Sequence, residues 1–171
     1  MPPTQAPWSH CRTDTPLGTL LLARSAGGLC GAWFAQEQRH MPPASRFDPA
    51  HERPSDPLLC EAAAQLAAYF SGQRQRFDLP LDLSAGTDFQ QAVWKALLAL
   101  DWGQSGSYSQ IAQTMGRPRA VRAVGAAVGR NPISLIVPCH RVLGSTGHLT
   151  GYAGGLWRKQ ALLKLEGHSL F

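Results

Sequence analysis

The chain is organised around Ile136-Val137-Pro138-Cys139-His140-Arg141-Val142. An apolar run precedes the cysteine and a glycine-rich loop follows it, which predicts a thiol at the edge of the core. A free cysteine titrates near about 8.5, so a nucleophilic role at neutral pH needs a neighbouring base or positive charge. His140 can supply the base and Glu166 can orient it. The alternative is a buried, inert cysteine.

Length and composition fit one medium domain or two small ones, since 44% of the 171 residues are apolar. We find no run of about 18 uncharged apolar residues and no basic-then-apolar leader, so we expect a cytoplasmic protein without a membrane segment. The cysteines form no C-x-x-C pair, which argues against a disulfide framework and a zinc site. We predict no metal and no cofactor. The cysteines other than Cys139 are Cys11, Cys30 and Cys60.

Charge is distributed unevenly along the chain. Residues 1–85 hold seven Lys/Arg and eight Asp/Glu, a balance of −1, and residues 86–171 hold nine and three, a balance of +6, giving the total of +5. No acidic residue occurs between Trp102 and Leu165. A long basic segment of this kind is typical of a surface for nucleic acid, although a generic basic surface is the simpler alternative.

The N-terminal half has the pattern of a small α+β unit. Apolar runs at 20–22 and 29–34, separated by a glycine pair, predict a hairpin. An irregular connection follows, and then a helix with Asp56 as N-cap that ends near Gly72. Alternation of apolar and acidic residues over 77–83 predicts a half-buried strand.

The C-terminal half is predicted to be mostly helical. A capping-box pattern at Thr87 begins a helix that should run to about Leu100. A short helix over 108–115 and another that starts at Pro118 are joined by Gly-Arg-Pro, as in a helix-turn-helix. A final helix ends at Glu166.

The helix predicted after Pro118 has an unusual face. Its valines recur at core-facing spacing, and the neighbouring stripe carries one long cation among glycine and alanine. Each glycine lowers helix stability by up to about 1 kcal/mol, so something bulky is expected to approach this backbone. We predict docking in the DNA minor groove, which is roughly 6 Å wide, with tight helix packing as the alternative. The stripe consists of Arg122, Gly125, Ala126 and Gly129.

With these residues in view, the chain resembles the O6-alkylguanine-DNA alkyltransferases, the methylated-DNA–protein-cysteine methyltransferases that act once. The resemblance is strongest over 87–167. It is carried by Ser107-Tyr108, Arg122-Ala123-Val124-Gly125, Asn131-Pro132, Ile136 to Val142 and Gly151-Tyr152-Ala153-Gly154-Gly155.

The resemblance implies an α+β fold. A small N-terminal α/β domain over 1–85, ribonuclease H-like, would precede a C-terminal, mostly helical domain over 86–171 with a winged-helix-like helix-turn-helix. It also implies irreversible transfer of an alkyl group from O6-alkylguanine in double-stranded DNA to Cys139 after base flipping, by a protein that is a monomer in solution. O4-alkylthymine as a second substrate and association along DNA stay open.

The resemblance also implies roles for individual residues. Glu166 and His140 would form a relay that removes the thiol proton, Asn131 would hold the turn, and Tyr108, with help from Lys159, would assist departure of the purine. Arg122 would fill the space left by the flipped nucleotide. The predicted DNA contacts are Ser107, Tyr108, Arg119, Arg122, Ala123, Gly125 and Ala126, and the predicted pocket residues are Val142, Tyr152, Ala153 and Gly154.

This chain departs from some family members at two places. Where they have serine, it has Ala153, so only the backbone N–H is available for a contact to O6. Of the cysteine and histidine positions that bind structural zinc in some members, at most Cys30 matches, so we predict no zinc. Two alternative functions stay open, a DNA-binding module without chemistry and a Cys-His-Glu hydrolase. A hydrolase needs an oxyanion hole and water access, but no arginine on a face of small residues.

Overall fold

A computed structural model describes residues 5–169, so the expectation of no leader falls partly outside the described residues. The N-terminal half contains a three-stranded antiparallel sheet in the order β1 (Ser9–Thr15), β2 (Gly18–Ser25) and β3 (Gly28–Phe34). The predicted hairpin is β2–β3, in which Leu20 pairs with Phe34 and Leu22 with Ala32. The sequence analysis did not identify β1, which pairs with β2 from Ser9 to Thr15.

Helix α1 (Pro57–Phe70) packs against this sheet. Asp56 is its N-cap, as predicted, and the carboxylate accepts from the amides of Leu58 at 2.9 Å and Leu59 at 3.1 Å. The helix buries one stripe that includes Tyr69, and Gly72 follows it with φ +76°. A residue with φ in this region cannot continue the helix, which accounts for the stop.

The strand predicted over 77–83 is wrong. This segment makes one isolated bridge, between Leu29 and Leu81, because only the end of β3 lies beside it. The Leu29 amide donates to Pro80 at 2.8 Å, and the Asp82 amide donates to Leu29 at 2.8 Å. The connection before α1 is irregular, as expected, apart from two short 3-10 turns at Ala44–Phe47 and Pro49–His51.

Within residues 86–169, the C-terminal half contains four α-helices and one small sheet. The helices are α2 (Asp88–Leu97), α3 (Tyr108–Thr114), α4 (Val121–Gly129) and α5 (Leu156–Leu165), and the sheet pairs β4 (Gly106–Ser107) with β5 (Val142–Leu143) in parallel. The capping box predicted at Thr87 is present. Helix α2 ends at Leu97 rather than near Leu100. Helix α4 begins three residues after Pro118, because Arg117 to Ala120 form a turn closed by a 2.9 Å hydrogen bond.

The two halves meet at the segment that leads into the cysteine. The Ala32 amide in β3 donates to the Pro132 carbonyl at 2.9 Å, and the Ser134 amide donates back to the Ala32 carbonyl at 3.0 Å. On the other side, the Trp94 indole donates to the Ala127 carbonyl at 2.8 Å and fixes α4 against α2. The sheet therefore holds the segment that leads into the cysteine, and α2 fixes the helix that precedes this segment.

The predicted fold class is confirmed, since a sheet-containing N-terminal half precedes a mostly helical C-terminal half. Over residues 5–169 we find no helix that is both long and apolar enough to cross a membrane.

Candidate active site

Cys139 opens a short 3-10 helix, Cys139–Arg141, and its side chain is buried. The side-chain amide of Asn131 holds this turn. Its Nδ2 donates to the Val137 carbonyl at 2.8 Å and to the Cys139 sulfur at 3.1 Å. Its own oxygen accepts from the Ile133 amide at 3.0 Å. Asn131 thus links the end of α4 to the thiol in a single fixed geometry.

The thiol is neutral in the free protein. Burial raises the pKa of Cys139, while the hydrogen bond from Asn131 and the positive charge of Lys159 lower it by less. A neutral thiol is a weak nucleophile, so any reaction at this sulfur requires a group that takes its proton.

His140 is placed to take a proton. Its ring is fully buried, and Nε2 lies 2.8 Å from Oε1 of Glu166. Burial, helped by the positive charges of Arg141 and Lys159, lowers the pKa of His140 more than Glu166 raises it, so the imidazole is neutral near pH 7. A neutral ring that donates from Nε2 to a carboxylate keeps Nδ1 as an acceptor. Within the described chain Nδ1 is buried without a hydrogen-bond partner.

Glu166 is the centre of a larger buried cluster than the sequence analysis predicted. Arg141 makes a bidentate pair with its carboxylate at 2.9 Å and 2.7 Å, and the Tyr69 hydroxyl donates to Oε1 at 2.7 Å. Burial opposes ionisation, but the hydrogen bonds from His140 and Arg141 lower the pKa of Glu166 to about 2. We call Tyr69, His140, Arg141 and Glu166 the buried relay.

Sequence reasoning missed two members of the buried relay. Arg141 lies inside the motif, but the sequence analysis counted it only as part of the basic segment that was expected to face nucleic acid. Tyr69 lies on the apolar stripe of α1 in the other half of the chain, and the stripe gives no sign that its hydroxyl meets a carboxylate.

A second set of polar contacts joins Tyr108 to Lys159. The Tyr108 hydroxyl is 2.7 Å from the Thr150 hydroxyl, and the Lys159 ammonium lies 3.4 Å from the same Thr150 oxygen. Lys159 is fully buried and also donates to the carbonyls of Val142 at 2.6 Å and Thr150 at 3.3 Å. Tyr108 and Lys159 are therefore brought together through a residue that the sequence analysis did not single out.

A cavity of about 260 Å³ opens at the sulfur. Of the residues predicted to line the pocket, Tyr152 and Ala153 do so. Val142 and Gly154 are buried and do not contribute to the lining; their carbonyl oxygens accept from Lys159 and Arg158. The full lining is Arg39, His40, Tyr108, Gly125, Val128, Gly129, Cys139, Gly151, Tyr152 and Ala153.

Arg39 and His40 reach this cavity from the N-terminal half, where the sequence analysis saw only an irregular connection. The Arg39 amide donates to the Ala153 carbonyl at 2.8 Å, which ties that connection to the pocket loop. Both residues are exposed. A larger cavity of about 310 Å³ lies elsewhere and is lined by residues such as Arg76, Asp101 and Pro138, without Cys139.

Four of the seven predicted DNA-contacting residues are exposed, and the other three, Ser107, Tyr108 and Gly125, are half-buried. Arg122, Ala123 and Ala126 are exposed and Gly125 is half-buried, while Val124 and Val128 on the opposite side are buried. We call Arg122, Ala123, Gly125 and Ala126 the small-residue face. Arg119 is exposed in the turn before α4, and the Ser107 hydroxyl caps α3 by accepting from the Gln110 amide at 3.1 Å.

The alternative of tight helix packing does not hold for the predicted stripe, since Arg122 and Ala126 are exposed and Gly125 and Gly129 are half-buried in the folded chain. Among residues 5–169 we find no group of three or more His, Cys, Asp or Glu side chains placed to hold a metal ion.

Comparison with protein families gives two matches that together span most of the chain. Residues 12–83 match the ribonuclease-like domain of 6-O-methylguanine DNA methyltransferase, and residues 88–168 match the DNA-binding domain of the same family.

Individual relatives agree with these matches. The methylated-DNA–protein-cysteine methyltransferase of Mycobacterium tuberculosis is 50% identical over 159 residues, which is 92% of each chain. That of Methanosarcina barkeri is 47% identical over 157 residues, covering 92% of this chain and 96% of the relative. The crystal structure of Mycobacterium tuberculosis OGT in complex with DNA superposes with a TM-score of 0.80 at 46% identity, covering 92% of this chain and 91% of that one.

Proposed function

Because the chain belongs to the 6-O-methylguanine DNA methyltransferase family, we propose that it repairs DNA by direct reversal. It transfers the alkyl group of O6-alkylguanine to Cys139 in one irreversible turnover. The observation that carries the proposal is a buried thiol at the base of a cavity, with Asn131 on the sulfur and the His140–Glu166 pair beside it.

The first chemical step is removal of the thiol proton. The free lone pair on Nδ1 of His140 accepts it through one bridging water, and the imidazolium that forms is stabilised by Glu166 at 2.8 Å. Glu166 stays ionised because Arg141 supplies a permanent positive charge. Generation of the thiolate in this way does not need a low thiol pKa in the resting protein.

Alkyl transfer then proceeds by displacement at carbon. The thiolate sulfur bonds to the alkyl carbon, the bond from that carbon to O6 breaks, and the electron pair remains on the purine. Tyr108 donates a proton to the purine as this negative charge develops. Since a positioned acid contributes about 10²- to 10⁴-fold, loss of this donor is expected to slow the transfer strongly. The thioether has no leaving group that would regenerate the thiol.

The small-residue face supplies DNA binding. Glycine and alanine let the backbone of α4 enter the minor groove, and Arg122 occupies the space of the flipped nucleotide. The flipped base then enters the cavity, where the N–H of Ala153 meets O6. Ser107 and Arg119 contact the phosphate backbone.

The proposal also sets the partner and the compartment. The partner is double-stranded DNA that carries O6-alkylguanine, and the protein acts as a monomer in the cytoplasm, the compartment that holds bacterial DNA. Residues 86–171 perform binding and chemistry, and residues 1–85 support them.

The proposal is tested by the intact and peptide mass of the protein after mixing with an equimolar duplex that carries one O6-methylguanine. We expect stoichiometric gain of one methyl group on the Cys139 peptide and none in Cys139→Ser. Cys60→Ser is the matched control, because Cys60 is the exposed cysteine and adventitious alkylation would favour it. Tight lesion binding without a mass gain would leave a recognition protein and remove the chemistry, and turnover beyond one equivalent would favour a hydrolase.

A further inference from the structure

Thr150 lies between the two groups that assist departure of the purine. Its hydroxyl oxygen is 2.7 Å from the Tyr108 hydroxyl and 3.4 Å from the Lys159 ammonium. It belongs to the glycine-rich loop after β5, and its own carbonyl also accepts from Lys159 at 3.3 Å. The loop residue is therefore fixed from both sides.

Hydrogen-bond chemistry permits a series of donors that runs from Lys159 through Thr150 to Tyr108. An ammonium has donors and no acceptor, so the Thr150 oxygen accepts from Lys159. The single Thr150 proton is then free to be donated to Tyr108, and the Tyr108 proton is free to point into the cavity. Each bond in such a chain polarises the next, which makes the last hydroxyl a better donor.

We propose that Thr150 is a positioning residue of the alkyl transfer, which relays a proton from Lys159 to Tyr108. This inference rests on the function proposed above, because it concerns the fate of the purine leaving group in that reaction.

The proton movements balance without any further reactant. As the bond from the alkyl carbon to O6 breaks, the purine takes the Tyr108 proton. The phenolate takes the Thr150 proton, and the Thr150 oxygen takes a proton from Lys159, which becomes a neutral amine. The positive charge on Lys159 is lost as the negative charge on the purine is neutralised, so the purine leaves neutral, and the proton taken from the thiol stays on His140 beside Glu166.

The environment of Lys159 suits donation. Burial lowers its pKa to about 8, against the opposite effect of Cys139, so the ammonium is present at neutral pH and gives up its proton readily. The ionisable groups that face it are the Cys139 thiol and the His140 imidazole, besides Tyr108 through Thr150. When Cys139 becomes alkylated, the thiolate can no longer hold the proton on Lys159.

The first test is the single-turnover rate of methyl transfer from a duplex for Thr150→Val, which removes the hydroxyl and keeps the shape. Lys159 retains its bonds to the carbonyls of Val142 and Thr150, so the ammonium stays in place. We expect about a tenfold loss, the kinetic equivalent of one charge-assisted hydrogen bond. Thr150→Ser should restore the rate. Thr146→Val is the matched control, because that hydroxyl pairs with His148 in the same loop.

The second test is a double-mutant cycle with Tyr108→Phe. If Thr150 acts through the phenol, Thr150→Val should add no further loss in the Tyr108→Phe background. A full tenfold loss in both backgrounds would overturn the relay, since it is the result expected if Thr150 contacts DNA or only holds the loop. An unchanged rate in Thr150→Val would also overturn it. In either case methyl transfer by the unaltered protein would still support the proposed function.

The third test is the pH dependence of the rate ratio between the unaltered protein and Thr150→Val. Only protonated Lys159 donates, so the ratio should be about ten below pH 8 and fall toward one above it. Titration of Cys139 and His140 affects both proteins and cancels in the ratio. A ratio that stays constant through this range would contradict a proton supplied by Lys159.

Discussion

The buried relay and the small-residue face differ in how they place charge: the relay buries charged groups against partners, and the face exposes a cation to solvent. The relay places two ionisable pairs out of contact with water and gives the Glu166 carboxylate donors from Tyr69, His140 and Arg141. The face exposes one cation, Arg122, among residues that have almost no side chain. The relay is complete within the folded chain, whereas the role proposed for the face requires DNA against it.

This difference predicts that substitutions in the relay affect mainly stability and that substitutions in the face affect mainly function. A charge buried among its partners costs several kcal/mol when one partner is removed, because the others stay buried without compensation. An exposed cation contributes little to folding, since water solvates it in either state. Substitutions in the relay should therefore destabilise the folded protein, and substitutions in the face should leave a stable protein that fails on duplex DNA.

The largest effect is expected from Glu166→Gln. The amide has the same shape but no charge, so Arg141 remains buried with an uncompensated positive charge. We expect a loss of about 3–5 kcal/mol in the free energy of unfolding, measured by urea denaturation at pH 7. In the unaltered protein, the stabilisation from ionised Glu166 should be complete above its ordinary pKa and be lost as pH falls toward about 2.

Asp101→Asn is the control for the relay, because Asp101 pairs with Arg76 at 2.8 Å but the Arg76 side chain is 78% exposed and the Asp101 side chain 46%. The free energy of unfolding should fall by no more than about 1 kcal/mol in this variant. Equal losses in Glu166→Gln and Asp101→Asn would mean that burial does not distinguish these two ion pairs.

Arg122→Ala should reverse this pattern. We expect unfolding free energy within about 0.5 kcal/mol of the unaltered protein, because the side chain is exposed. The rate of methyl transfer from duplex DNA should fall about 100-fold, since extrusion of a base costs a few kcal/mol that Arg122 would help to offset. The comparison is transfer from free O6-methylguanine, which needs no extrusion and should change far less. Equal losses on both substrates would rule out a role in flipping.

The face was predictable from sequence because its signal is local. Val124 and Val128 fix the buried side of the helix, and the identities of Arg122, Gly125 and Ala126 then follow from 3.6-residue periodicity. The start of the helix was predicted too early, at Pro118, since proline at a first helical position resembles proline inside the turn that precedes it.

The relay was only half predictable, because its members come from distant parts of the chain. The motif places His140 beside Cys139, but the contact between Tyr69 and Glu166 joins residues 97 positions apart. Only the docking of α1 against the C-terminal half creates it. The strand predicted over 77–83 was wrong for a related reason. Alternation predicts a strand, but a strand also needs a hydrogen-bonding partner along its length, and β3 makes only one bridge with this segment.

The smallest effect is expected from Gly125→Ala. This substitution also compares most sharply the stability of α4 with its binding to duplex DNA. A Cβ at this position would lie 3.7 Å from the Tyr108 ring, an ordinary van der Waals contact. Alanine should therefore stabilise α4 by about 1 kcal/mol, measured by urea denaturation. If the glycine serves close approach to DNA, the same change should weaken duplex binding several-fold in a titration with labelled duplex. Transfer from free O6-methylguanine should stay unchanged, which separates the groove from the pocket that Gly125 also lines. A gain in stability with unchanged duplex binding would mean that an extra methyl group on this face does not hinder the approach of DNA. Arg122 alone would then account for the interaction.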